Sequence, residues 1–305
     1  MDISKAITEP YLNYHIFHEN LNTRVKIMTG ALCHTLNFLS EPENENKMGD
    51  LIKAADSSWQ FPPVFSLENH PETEIYNYVS ELAIFSSFSA MDDFFTSIEA
   101  EIARWKAFNK IDLHKESIIS DDKIEKFYGR YSWSTYSIEE YLPIFNYFQA
   151  IRNCIAHRNS KASNELVVLS KSESLISAVS KLFSKGEPLP TFEANEQIYL
   201  NPKTTLLCSH INRLICKDIN GRLLSEFGLE GLVHMACYHA FFKDTPQETQ
   251  AVHQPETVLN SILYHRYKVV FEGQRAPTDT AKKLGLWPRC LKGFESRKVK
   301  LQTTP

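Results

Sequence analysis

An arginine and an imidazole five residues apart stand in the segment Ile151-Arg152-Asn153-Cys154-Ile155-Ala156-His157. A guanidinium holds a phosphate through two parallel charge-assisted hydrogen bonds, and an imidazole takes up and releases a proton near neutrality. Together they suit phosphodiester chemistry. No other arginine in the chain has a histidine five to seven residues downstream.

The spacing constrains the element that carries the pair. On a helix of about 3.6 residues per turn, a five-residue step rotates the side chain by about 140°, so Arg152 and His157 diverge. Asn153 and His157, four apart, share a face with Asn146 and Gln149, opposite the apolar stripe Ile144, Phe148, Ile151 and Ile155. Either the helix ends near His157, or a second copy of the chain completes the site across a two-fold axis. Ser137 with Glu140 three residues on reads as a capping box, which predicts a motif helix of about 20 residues starting there. The polar break Arg158-Asn159-Ser160-Lys161 places His157 close to its end.

RNCIAH resembles the R-x4-6-H signature of the HEPN superfamily in its common RNxxAH form, with an amide after the arginine. Upstream, Ser89-Ala90-Met91-Asp92-Asp93-Phe94-Phe95 is similar to the small, apolar, acid, acid, aromatic segment of many members. The resemblance covers roughly residues 75 to 228. It implies an α-helical bundle that dimerises through the motif face and, in catalytic members, a metal-independent endoribonuclease. It also implies contexts such as toxin–antitoxin pairs and phage defence, with an antitoxin or other regulatory protein as partner. The chemistry of the residues agrees. RNA carries its own nucleophile in the 2′-hydroxyl, so an acid or base and a cation on the phosphorane suffice without a cofactor. His157 is then the acid or base, Arg152 stabilises the phosphate charge, and Asn153 positions substrate or imidazole. Asp92 could orient the imidazole or hold the guanidinium; it could equally face solvent. Arg158 and Lys161 could attract phosphates, or simply complement the dipole of a helix end.

The 305-residue chain has a net charge of −4, unevenly spread. From Arg266 onward ten Lys or Arg face only Glu272, Asp279 and Glu295. Its six cysteines show no CxxC and read as reduced, buried thiols. The first residues lack the pattern of a signal peptide, and no apolar run approaches the roughly 20 residues needed to span a bilayer. The expectation is a cytoplasmic protein without membrane contact.

Ten glycines and long amphipathic runs predict a mainly all-α protein. Helices are expected over 10–39, 72–108, 123–131, 172–183 and 203–227, the last stopped by Gly228. Glu165 to Leu169 reads as a short strand, and 196–200 as extended. The aromatic stretch 56–71 and the polar stretch 111–122 read as connections, and Gly186 to Pro190 as a break. This divides the chain into an N-terminal helix and loop (1–71), a HEPN-like helical bundle (72–228) and a basic helical appendage (229–305). His15 with His18, and His234 with Cys237 and His239, have metal-ligand chemistry but no evident completing ligands. Thr278-Asp279-Thr280-Ala281-Lys282-Lys283-Leu284-Gly285-Leu286 reads as the opening of a helix-turn-helix. Two other function classes therefore compete with the ribonuclease: a non-catalytic nucleotide-binding or scaffold bundle, and a nucleic-acid-binding regulator acting through 266–305.

Overall fold

The computed structural model describes residues 5–44, 46–59, 71–111, 123–182, 188–243, 253–271 and 275–303. The fold is all-α. Its helices are α1 (Glu9–Leu39), α2 (Met48–Ala55), α3 (Glu72–Phe108), α4 (Lys123–Arg130), α5 (Leu142–His157) and α6 (Asn164–Ser170). They continue with α7 (Glu173–Leu182), α8 (Pro202–Cys237), α9 (Pro255–Ser261), α10 (Ala276–Lys283) and α11 (Trp287–Thr303). Two wider π-helical turns, Tyr238–Phe242 and Ile262–Arg266, prolong α8 and α9. Among the described residues the only strand-like pairing is the bridge between Lys161 and Gln197. The expected connections at 60–70 and 112–122, and Gly186 with Glu187, lie outside the described residues; Trp59, just before, is exposed.

Two sequence expectations are corrected. The motif helix begins at Leu142 and not at the Ser137 capping box. Pro143 explains this: it has no N–H and its ring clashes with the carbonyl of the preceding turn, so it is tolerated only where a helix begins. Residues 136–138 instead make a single 3₁₀ turn. The Ser137 hydroxyl donates to Asp218 at 2.6 Å and accepts from Arg222 at 2.7 Å. Glu165 to Leu169 is helical, within α6. Ser163 caps it, its hydroxyl accepting from the Leu166 amide at 3.1 Å, and the four-residue step from Leu166 to Ser170 buries one helix face. That cap outweighs the mild strand preference of Val167 and Val168. Gly228 does break α8, at φ 54°, where glycine avoids the steric cost of a side chain.

The chain groups into two compact units, each assembled from non-consecutive stretches, whereas the sequence division falls at 71/72 and 228/229. One unit comprises Met1–His15, Asp92–Ser137 and Cys216–Pro305. Its core includes Tyr14 against Phe94, Phe95 against Phe127, and Trp105 against Phe227. It also buries two glutamates with cationic partners. Glu9 is gripped by the Arg266 guanidinium, whose Nε donates at 2.7 Å, and Glu101 accepts from Arg104 and from His239 at 2.6 Å. The second unit comprises Ile16–Met91 and Ile138–Ile215. There α5 packs against α6 and α7, Phe88 of α3 meets Phe145, and Val25, Val79 and Ala83 form a cluster with Leu206.

Two glycines make a matched test of the packing. A Cβ on Gly293 would lie 2.4 Å from the Phe241 carbonyl oxygen, whereas a Cβ on Gly221 meets nothing within 4 Å. Gly293→Ala is expected to destabilise by about 1–3 kcal/mol. Gly221→Ala, inside α8, is expected to stabilise by about 1 kcal/mol. Denaturant titration of both variants checks the contrast. Burial pushes the Glu9 carboxyl up, but the Arg266 hydrogen bond and the neighbouring positive charges outweigh it and hold the group below the ordinary glutamate value. Its stabilisation is then full above that ordinary value and drains away as pH falls through the lower folded one. Glu9→Gln should cost stability at neutral pH and flatten the acid limb of a stability-versus-pH curve.

Candidate functional site

The orientation of α5 is fixed by what it buries. Ile144, Phe148, Ile151 and Cys154 are sealed from water, with Phe145 and Tyr147 beside them. Removing each large apolar side chain from water contributes about 1.5–3 kcal/mol, so turning the helix by one residue would forfeit several such terms. With that face inward, Asn146, Gln149, Arg152 and Asn153 lie half-exposed and His157 is exposed in the last turn. The polar stripe expected from the helical period is present; Ile155, at the far end of the apolar stripe, is only half-buried.

The Arg152 guanidinium lies 5.2 Å from the ring centre of Phe85 on α3, and its Nη1 donates to the Asn153 side-chain carbonyl oxygen at 3.2 Å. Neither partner is an acid. A cation over an aromatic face is held by about 0.5–1 kcal/mol where water has access, which orients the group without neutralising it. Phe85 also ends an uncovered apolar stripe on α3, where Tyr78 is 72% and Leu82 61% exposed.

Beyond His157 the chain turns back on itself. Asn159 and Ser160 both adopt left-handed backbone, at φ 53° and 58°, and the Ser160 amide donates to the Cys154 carbonyl at 3.2 Å. The returning chain is pinned to 195–198: the Ala162 amide donates to Glu196, the Ile198 amide to Ser160, and the Asn195 amide to Ala162. This hook aims Arg158. Its Nη2 donates to the Asn195 side chain at 3.1 Å and its Nε to the Lys161 carbonyl at 3.3 Å.

The structure therefore brings Arg152 to Asn153 and Arg158 to Lys161. No hydrogen bond joins Arg152 to His157, and the imidazole has no partner among the described residues. Arg152, Arg158 and Lys161 likewise make no ion pair among the described residues, whereas Lys171 and Lys181 of the same unit pair with Glu193 and Glu140. Asp92 makes an ion pair with Lys123 of α4. Phe85 and Asn195 escape sequence reasoning, since nothing in their neighbourhoods marks them as partners of α5.

The other histidine groups have structural partners. His18 is buried between Ser209, at 2.8 Å, and Asn22, at 3.0 Å. His234 packs on Trp105 and Phe108, while Cys237 lies beside the Cys290 thiol. Among the described residues no group of three or more His, Cys, Asp or Glu is arranged to hold a metal ion.

The hook makes a direct test of this geometry. Asn159→Val should destabilise by about 1–2 kcal/mol, because a side chain branched at Cβ collides with the backbone at positive φ, while Asn159→Gly should be tolerated. Equal stabilities of the two variants by denaturant titration would contradict the left-handed turn. No family model matches the chain, and no curated protein or solved structure is similar to it.

Proposed function

We propose that this protein is a metal-independent endoribonuclease of the HEPN type, acting as a homodimer, in the setting of a toxin or a phage-defence effector. One observation carries the reading: the C-terminal end of α5 presents Arg152, His157, Arg158 and Lys161 to solvent with no carboxylate among the described residues to neutralise them. Cations left without an internal counter-charge favour an external anion, and the RNA backbone is the anion whose chemistry an imidazole can complete.

The residues have separable roles. His157 takes the proton from the 2′-hydroxyl, whose oxygen attacks phosphorus as the P–O5′ bond breaks, and solvent water protonates the departing 5′-oxygen. Arg152 stabilises the charge that accumulates on the phosphorane, and Asn153, bonded to that guanidinium, holds it in register. Products are a 2′,3′-cyclic phosphate and a 5′-hydroxyl. Arg158 and Lys161 hold flanking phosphates. Asp92, paired with Lys123, has no part in this scheme. Arg152 and His157 leave α5 in different directions, so a second copy of the chain supplies the complementary half of the cleft. The uncovered stripe Tyr78, Leu82 and Phe85 beside Arg152 supports such an association.

The test is RNA cleavage by the purified protein in chelator. His157→Ala is expected to lower the rate about 10²–10⁴-fold. Arg152→Lys keeps the charge but loses the two-pronged donor geometry, and should recover only part of the rate. Cleavage that continues at full rate in His157→Ala would overturn the assignment.

A further inference from the structure

The C-terminal helices carry a second surface that the ribonuclease chemistry does not use. Helix α10 is joined to α11 by Leu284, Gly285 and Leu286, with Gly285 at φ 71°. A three-residue turn hinged on a left-handed glycine is the connection of a helix-turn-helix. Ala281 and Leu286 are buried inside the corner, and α9 packs against both helices to close a three-helix unit.

The inner face of α11 is tightly seated. Cys290 and Phe294 are buried, and Gly293 approaches the Phe241 carbonyl so closely that no side chain fits there. The outer face is consequently fixed as well. It presents Pro288, Arg289, Lys292 and Ser296 at helical spacing, with Leu291 40% exposed beside them. Lys292 has no acid partner among the described residues, and Arg289 lies over the Phe242 ring, 5.1 Å from its centre. Residues 275–305 contain eight Lys or Arg against Asp279 and Glu295.

We propose that α10 and α11 form a DNA-binding helix-turn-helix, with the first turns of α11 entering the major groove of a duplex. The groove of B-form DNA, about 12 Å wide, admits a helix, whereas that of A-form RNA is too deep and narrow for side chains to read. Lys292 and Arg289 meet phosphates or base edges, and exposed Leu291 and Pro288 offer apolar contact to thymine methyl groups. The surface stands independently of the ribonuclease reading and gives the protein a second nucleic-acid partner.

The experiment is fluorescence anisotropy of the full-length protein with labelled random-sequence duplexes of DNA and of RNA, across a salt series. Binding to DNA is expected in the sequence-independent range of about 10⁻⁴–10⁻⁶ M at physiological salt, tightening as salt falls. In a protein carrying Arg158→Glu and Lys161→Glu, which removes the flanking phosphate contacts of the ribonuclease site, the RNA duplex should bind at least tenfold more weakly than the DNA. Lys292→Glu combined with Arg289→Glu should weaken DNA binding at least tenfold, with helicity and melting temperature monitored in parallel. Because Arg289 also packs on Phe242, Lys292→Glu alone is the second variant; it should weaken binding and lower the salt slope by about one. Absence of DNA binding, equal affinity of the Arg158→Glu, Lys161→Glu protein for the two duplexes, or a folded Lys292→Glu protein with unchanged affinity and slope would overturn the proposal.

Discussion

Burial of one face of α5 governs the candidate site. Ile144, Phe148, Ile151 and Cys154 occupy steps of three and four, and all four are removed from water. Once they are, helical geometry leaves no freedom in where Arg152, Asn153 and His157 emerge. The functional residues need no dedicated scaffold; they are the remainder of a helix whose other side is core. The same constraint sends Arg152 and His157 out of the helix in different directions, and the proposed chemistry draws on a second copy of the chain.

The hook after α5 serves a different purpose. A helix that simply ended in a flexible loop would leave Arg158 to sample many directions. Here two successive left-handed residues reverse the chain, and three backbone hydrogen bonds to 195–198 hold the reversal. Left-handed backbone at non-glycine residues costs on the order of 1 kcal/mol each and persists only where surrounding contacts impose it. The return is an Arg158 guanidinium fixed by Asn195 and the Lys161 carbonyl, with its remaining donors turned outward.

Much of this arrangement is legible in the sequence, and the exceptions have physical causes. The long helices α1 and α3 declare themselves through apolar residues every three or four positions, and Gly228 marks the break in α8 because φ 54° combined with ψ −158° is backbone that essentially only glycine adopts. The start of α5 differs from its sequence expectation because a capping pattern at Ser137 is a local signal, whereas Pro143 decides where regular helix is sterically possible. Val167 and Val168 suggest a strand, yet Ser163 is already a competent cap. In the site itself, the amphipathic face around RNCIAH is visible in the sequence, but Phe85 and Asn195 are not. They come from α3 and from the segment after α7, brought in by tertiary packing, and no periodicity encodes such neighbours. Nor does any composition shift mark units that interleave distant stretches of chain.

The two units also treat charge in opposite ways. In the first, each buried glutamate has a cation bonded to it: Glu9 has Arg266, and Glu101 has Arg104, with the His239 ring bonded to it as well. An unpaired carboxylate at those depths would forfeit hydration with nothing in exchange, so the pairing is a condition of folding rather than a bonus. In the second, Arg158 and Lys161 are exposed and Arg152 half-exposed, and none of the three makes an ion pair among the described residues. Cations at the C-terminal end of a helix complement its dipole, which favours basic residues there, while their mutual repulsion opposes gathering three. An external anion would relieve that repulsion, which is the role the proposed function gives to the RNA backbone.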